Sequence, residues 1–134
     1  MLIALGALIG GKMQIQASER IQQEQSARDI YREYLNISIG RPEFSSPNYC
    51  AIAGTPQEAA YENYVEYLLY TAEQAIATDP DWEPVFLSEL KHHAGYMCSV
   101  KDWSGYSDDV RGLVGSFRIN GCARSAVCED ADRR

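Results

Sequence analysis

Apolar residues recur at helical spacing along most of the chain, and no segment alternates as a half-buried strand would. The clearest pattern keeps i, i+3, i+4, i+7 spacing over four turns, and its members are Tyr61, Tyr64, Val65, Leu68, Leu69, Ala72, Ala75 and Ile76. Just before it, Thr55-Pro56-Gln57-Glu58 has the composition of a capping box. Together these features predict a helix over residues 56–78.

The same spacing predicts three further helices. Residues 13–39 contain no helix breaker and are polar nearly all round in their first half. Their second half gains an apolar face, made of Ile30, Tyr31, Tyr34, Leu35 and Ile37. Residues spaced three and four apart predict a helix over residues 82–100 with one mostly apolar stripe. The stripe consists of Trp82, Phe86, Leu90, His93, Met97 and Val100. Residues 108–117, capped by Ser107, carry the last face, at Val110, Leu113, Val114 and Phe117.

The remaining segments have the composition of loops and tails. Gly, Pro, Ser and Asn concentrate in residues 40–54, which predicts an ordered loop, and Asp79-Pro80-Asp81 predicts a turn with a capping Asp79. Residues 119–134 lack periodicity and predict a flexible tail. We therefore expect an all-α fold, a small helical bundle over residues 13–118 with a long N-terminal helix that continues from an apolar segment.

Residues 1–12 form that apolar segment, in which Lys12 is the first charge. The run is about half of the roughly 20 residues that a membrane helix needs. Two interpretations stay open: the inner half of a membrane helix that begins upstream, or a short segment that packs on another surface, with Met13 as an alternative start. Positive charge beyond the segment favours the cytoplasmic side of the membrane for the residues that follow. It comes from Lys12, Arg20, Arg28 and Arg32.

Net charge and composition restrict the classes of partner that the chain can bind. The 134 residues carry a formal net charge of −7 and no run of Lys or Arg, which argues against nucleic acid. Nine tyrosines against three phenylalanines suit half-buried helix faces. The four cysteines form no CxxC motif, and their even number permits two disulfides in an oxidising compartment. Without a recognisable cleavable signal, the sequence favours free thiols.

Candidate metal chemistry centres on Glu89-Leu90-Lys91-His92, the Glu-x-x-His arrangement of di-iron bundles. Such sites need the motif twice, and the chain has only two histidines, His92 and His93, so one chain cannot build the full site. The two rings point about 100° apart around a helix, which suits a two-ligand site poorly. We expect His93 to be a core-edge histidine bonded to a Tyr or a carbonyl, and His92 to face solvent. No catalytic residue, metal ligand or cofactor is predicted.

A resemblance rests on four stretches: Gln22–Leu35, Pro42-Glu43, Tyr61-x-x-Tyr64-Val-x-Tyr-Leu-Leu-Tyr-x-x-Glu73 and Leu90-x-x-His93-x-x-Tyr96. They resemble small, uncharacterised bacterial proteins in which one transmembrane helix continues into a cytoplasmic helical domain. The resemblance covers residues 1–118 and implies no catalytic residues. The short hydrophobic start departs from that family, and the cysteine-bearing tail matches no part of it.

Three functions fit these features. The leading hypothesis is a membrane-tethered, non-catalytic module that binds a partner protein or a second copy of itself. It contacts the bacterial inner membrane through residues 2–9, and its helical domain lies in the cytoplasm. The second is a small enzyme or ligand-binding bundle whose pocket is lined by Tyr64, Tyr67, His93, Tyr96 and Cys98. The third is a soluble cytoplasmic protein in which residues 1–10 pack on the bundle.

Overall fold

The computed structural model describes residues 2–122 and Cys128, and over this range the fold is all-helical, as predicted. Two single turns of 3₁₀ helix, Pro80–Trp82 and Lys91–His93, join helices in the second half. The helices are α1 (Leu2–Gly40), α2 (Pro42–Ser45), α3 (Tyr49–Ile52), α4 (Glu58–Thr78), α5 (Glu83–Leu90), α6 (Ala94–Ser99) and α7 (Asp108–Gly121).

Helix α1 has two parts with different surroundings. Residues 12–26 are exposed on every side, and we call this part the stalk. From Ala27 onward α1 packs antiparallel on α4, because Ser38 meets Tyr64 while Glu33 meets Tyr67. We call residues 27–122, together with Cys128, the head.

The buried face of α1 differs from the predicted one. It uses Ala27 and Tyr34, whereas Leu35 and Ile37 are 37% and 36% exposed, so the prediction was wrong for those two. Tyr34 and Ser38 face α4, and Tyr31 on the same side of α1 faces Trp82 and Phe86. Leu35 and Ile37 therefore lie on a side of α1 that stays largely exposed.

Helix α4 forms the centre of the head. Every apolar residue of its predicted face is buried except Ile76, which is half-buried, and Thr71 is buried beside them. Tyr31 of α1 adds an aromatic contact across the top of α5, with its ring 5.3 Å from Trp82 and 5.8 Å from Phe86. The core therefore lies where α1, α4 and α5 converge.

The predicted capping box at Thr55 does not form. Helix α4 begins two residues later than the motif suggests, at Glu58 and not at Pro56, and the Thr55 hydroxyl donates to the Ile52 carbonyl instead. Glu58 still reaches back, but its carboxylate accepts from the Gly54 amide. Gly54 has φ +77°, a conformation that glycine tolerates best. A glycine turn therefore starts this helix.

The connecting segments contain more helix than the composition suggested. Residues 40–54 hold α2 and α3, and Phe44 of α2 is buried. Trp103, in the loop before α7, is also buried, and its indole N–H donates to the Val100 carbonyl. The single helix predicted over residues 82–100 is broken at Lys91–His93. Aromatic side chains in short segments thus complete the core.

Helix α7 buries all four predicted residues and begins at the predicted cap, where the Ser107 hydroxyl accepts from the Val110 amide. It runs on to Gly121, so residues 119–121 were wrongly assigned to the tail. The rest of the predicted tail, apart from Cys122 and Cys128, lies outside the described residues.

Two glycines of α7 should respond oppositely to alanine. A Cβ on Gly121 would lie 2.5–2.9 Å from ring carbons of the buried Phe117, whereas one on Gly112 meets nothing within 4 Å. We expect Gly121→Ala to cost about 1–3 kcal/mol through overpacking. Gly112→Ala should add roughly 0.5–1 kcal/mol by helix propensity. Urea unfolding of both variants checks this, and shifts of the same sign would contradict it.

Two disulfides tie the head together, so the prediction of free thiols was wrong. Cys50 in α3 is bonded to Cys128, and Cys98 in α6 is bonded to Cys122. Spacing along the chain could not reveal these pairs, because they span 78 and 24 residues. Among the described residues, none of the helices is both long and apolar enough to cross a bilayer.

Candidate functional site

An aromatic cluster with one histidine occupies the middle of the head. The Tyr61 ring of α4 is at its centre, with neighbouring ring centroids 5.7–5.9 Å away. Those neighbours are Phe44, Tyr49, His93 and Tyr96. Gly95 permits the approach of α3, because a Cβ there would lie 3.1 Å from the Tyr49 Cβ. Three short segments thus meet one face of α4 around a single tyrosine.

His93 is the one ionisable base in this cluster. Its side chain is 1% exposed, and its Nδ1 lies 2.7 Å from the Tyr61 hydroxyl, as expected for a histidine bonded to a tyrosine. Nε2 is buried and has no hydrogen-bond partner. Burial, and next the charge of His92, lower the pKa of His93 to about 4, so the ring is neutral at pH 7. His92 is exposed, as predicted.

A second set of hydroxyls links α1 to α4 and α5. The Ser38 hydroxyl and the Tyr64 hydroxyl lie 2.5 Å apart, and Tyr64 donates to the Tyr34 hydroxyl at 3.3 Å. Tyr34 in turn donates to Glu89 Oε2 at 3.1 Å. Burial raises the pKa of Tyr34 well above its ordinary value, so the phenol stays protonated and remains a donor. The set ends on a carboxylate, the strongest acceptor type available.

Removing the Tyr34 hydroxyl tests this set. Tyr34→Phe should cost about 1–3 kcal/mol, because the buried Tyr64 hydroxyl loses its acceptor and Glu89 loses a donor. Tyr67→Phe is the matched control on the same interface, since its hydroxyl donates to Glu33 in an exposed pair. That control should change the free energy of unfolding by less than about 0.5 kcal/mol. Equal losses in the two variants, measured by urea denaturation, would contradict a special role for Tyr34.

The structure brings together three of the five residues predicted to line a pocket. Tyr64, His93 and Tyr96 are buried near one another, with Tyr64 and His93 rings 5.7 Å apart. Tyr67 is half-buried on the α1 side, and Cys98 is bonded to Cys122. Burial raises the pKa of Tyr96 to about 12, with Glu62 adding to the effect, so Tyr96 is a neutral phenol. Phe44 and Tyr49 were missed, because they lie outside the periodic segments.

Four surface grooves surround the described part of the head, and one of them borders the cluster at Phe44. One of about 550 Å³ runs between α1 and the end of α4, beside Tyr70 and Gln74, and another of about 220 Å³ lies beside Tyr64 and Tyr67. Two more, of about 360 and 250 Å³, border the acidic residues Asp81 and Asp108. His93 lines none of these four grooves. The His93 imidazole is therefore enclosed by the described residues around it, with 1% of its surface exposed.

Metal ligands do not assemble in the described part of the chain, where no group of three or more His, Cys, Asp or Glu side chains could hold an ion. Glu89 is instead the acceptor for Tyr34, and His92 faces solvent. The Glu-x-x-His motif is therefore divided between a hydroxyl network and the surface.

Carboxylates bonded to tyrosines recur around the head. Tyr67 donates to Glu33, Tyr106 to Glu66, and Tyr49 to Glu58 at 3.5 Å. Each pair joins two segments that are separate in sequence. The ion pairs given by the described residues are local and exposed, such as Arg32 with Asp29. Tyrosine hydroxyls thus do the bridging that salt bridges do in many other helical proteins.

These features define the class of the protein, a disulfide-linked, tyrosine-rich helical head carried on a long polar helix. The chain matches no protein-family model, no curated protein and no solved structure. The resemblance to small bacterial membrane-anchored proteins accordingly stays a prediction.

Proposed function

We propose that the chain is a non-catalytic interaction module, in which the stalk carries the head away from a membrane or protein surface contacted by residues 2–9. The observation that carries this proposal is the stalk itself. It consists of fifteen consecutive helical residues, 12–26, with no face covered by the part of the chain that the structure describes. A helix that is polar on all sides and unpacked gains little stability from its own sequence, so contact with something else supports it.

Exposed apolar residues on the stalk support a partner there. Met13, Ile15 and Ile21 are 66%, 61% and 55% exposed, and a protein lying along the stalk would remove their apolar surface from water. The partner is a protein or a second copy of the chain. The neutral, Gln-rich surface around these residues offers hydrogen bonds beside the apolar contacts.

Because the head is strongly acidic, we expect any protein that binds the head to present a basic surface. Residues 27–122 hold fourteen acidic and seven basic residues, which gives −7, whereas residues 1–26 hold two of each and are neutral. The whole formal charge of the protein thus falls on the head. Complementary charge speeds encounter more than it strengthens the final complex, so the effect should appear in association rates at low salt.

Contact with a membrane rests on residues 2–9. As a helix these eight residues cover about 12 Å at 1.5 Å per residue, against a hydrocarbon core of about 30 Å. Alone they would insert at the surface of a bilayer, and with further apolar residues upstream they would form a full span. Membrane fractionation of the wild type beside Leu5→Asn/Leu8→Asn separates tethered from soluble forms. Equal solubility of both proteins would remove the tether from the proposal.

Photo-cross-linking in cells tests the partner contact. A photoreactive phenylalanine analogue replaces Ile15 or Ile21 on the stalk, and exposed Asp102 on the head serves as the control position. We expect discrete adducts from positions 15 and 21, of a mass that distinguishes a second copy from another protein. Absence of adducts at both stalk positions, with a monomeric mass by light scattering, would overturn the proposal.

A second candidate function, ligand binding in the aromatic cluster, is favoured by the unpartnered Nε2 of His93. A small molecule or ion entering the cluster could satisfy that nitrogen. Titration with Zn²⁺ alone and an open screen of small molecules, followed through the ring resonances of His93, decides this. A saturable shift that Tyr61→Phe alters would support the ligand-binding function over the non-catalytic module.

A further inference from the structure

The four cysteines of the sequence are all paired, and each pair closes a long separation along the chain. The Cα atoms are 5.4 Å apart in Cys50–Cys128 and 5.6 Å apart in Cys98–Cys122, within the usual range for bonded cysteines. No free cysteine remains. The fold of the backbone therefore places four cysteines, from four different segments, in two pairs at the distance that a disulfide needs.

We infer that the head is completed by oxidation of these thiols in an oxidising compartment, such as the bacterial periplasm. Structural disulfides persist in such compartments, whereas glutathione and thioredoxin keep cytosolic thiols reduced. The basic residues after the apolar segment predicted a cytoplasmic head, whereas the disulfides favour an oxidising compartment. The charge rule concerns only the orientation of a membrane segment, whereas the disulfides belong to the covalent structure of the head itself and therefore decide its side.

Oxidation of each pair of thiols requires a partner that accepts two electrons. A thiol oxidase that carries its own disulfide is the class of co-reactant that does so. A thiolate of the head attacks that disulfide and forms a mixed disulfide, releasing one oxidase thiol. The second cysteine of the pair then attacks the mixed disulfide, which forms the bond in the head and releases the other oxidase thiol. Two electrons and two protons pass from the head to the oxidase for each bond formed.

The two bonds differ in their surroundings. Cys50 is exposed and Cys128 is half-buried, whereas Cys98 and Cys122 are both half-buried and pack against the core. Thiol exchange needs access to a sulfur atom, and exposed disulfides are the more easily reduced. A limiting reductant should therefore open Cys50–Cys128 first and detach Cys128 from α3, while α6 and α7 stay joined.

Labelling in the cells that encode the chain tests the inference on the protein as it exists. Cells are quenched with acid, and the full chain is treated with a 5-kDa maleimide polymer before and after reduction. We expect no gain in mass before reduction and four polymers per chain after it. Four polymers per chain without reductant would place the head in a reducing compartment and overturn the inference. Two per chain would show that oxidation is incomplete, and would overturn it as well.

Purified protein tests the order and the benefit of the bonds. With rising dithiothreitol, two labelled thiols should appear before four, and mass spectrometry should locate the first two at Cys50 and Cys128. Cys98→Ser/Cys122→Ser should lower Tm by about 10 °C. Cys50→Ser/Cys128→Ser is the matched variant, which should keep the second bond intact. An unchanged Tm after full reduction would contradict a structural role. These outcomes do not depend on adducts at the stalk, so either proposal can fail alone.

Discussion

Replacing Leu68 or Leu90 with alanine should lower the free energy of unfolding by about 2–5 kcal/mol, a large fraction of the stability of a small domain. Both side chains are fully buried in one apolar cluster, Leu68 on α4 and Leu90 at the end of α5. Each truncation removes methyl groups from contact with packed neighbours and leaves a cavity that rigid helices fill only partly.

Val85→Ala is the matched control for these core variants. Val85 lies on α5, as Leu90 does, but it is 36% exposed, so its truncation should change stability by less than about 0.5 kcal/mol. Urea denaturation with oxidised protein provides the measurement, since intact disulfides keep the unfolded chain comparable between variants. Losses below about 0.5 kcal/mol at both leucines would mean that the helices assemble in another way.

The second large effect that we expect is a loss of folding stability in acid. The pKa of His93 is about 4 in the folded head against an ordinary value of 6.5, because burial disfavours the charged ring. A depressed folded-state pKa means that the unfolded chain takes up the proton first as pH falls. Stability should therefore be highest above pH 6.5, decline between pH 6.5 and 4, and lose roughly 3 kcal/mol from this residue by the end.

Two variants distinguish the effect of His93 on acid stability from the effect of the carboxylates, which also titrate in acid. His93→Gln removes the ring, so the difference in unfolding free energy between wild type and variant should shrink as pH falls from 7 to 5. His92→Gln is the control, because its ring is exposed and its removal should leave most of the decline in place. A wild-type curve that is flat over this interval, or parallel to that of His93→Gln, would contradict the assignment.

Helical periodicity predicted the parts of the fold that depend on long faces. The faces of α4 and α7 bury the residues that their spacing indicated, and Ser107 caps α7 as expected. His93 was also predicted correctly, because its place in the stripe of Phe86 and Leu90 is visible in the sequence. These predictions succeed because the pattern and the packing obey the same 3.6-residue repeat.

Contacts between distant segments could not be predicted in this way. Phe44 and Trp103 are single aromatic residues in segments with loop composition, so no repeat marks them as core. The disulfides depend on which chain segments meet in space, and four cysteines allow three pairings. Thr55 had the residues of a cap, yet the positive φ of Gly54 gave the chain a different entry into α4. Only the tertiary arrangement distinguishes these outcomes.

The stalk also sets an electrostatic distance. Its fifteen residues, 12–26, extend about 22 Å as a helix, whereas the Debye length at physiological salt is about 8 Å. An anionic bilayer touching residues 2–9 would therefore be screened from the −7 charge of the head by more than two Debye lengths. Such a spacer lets a strongly acidic domain remain attached to a surface that carries the same sign of charge.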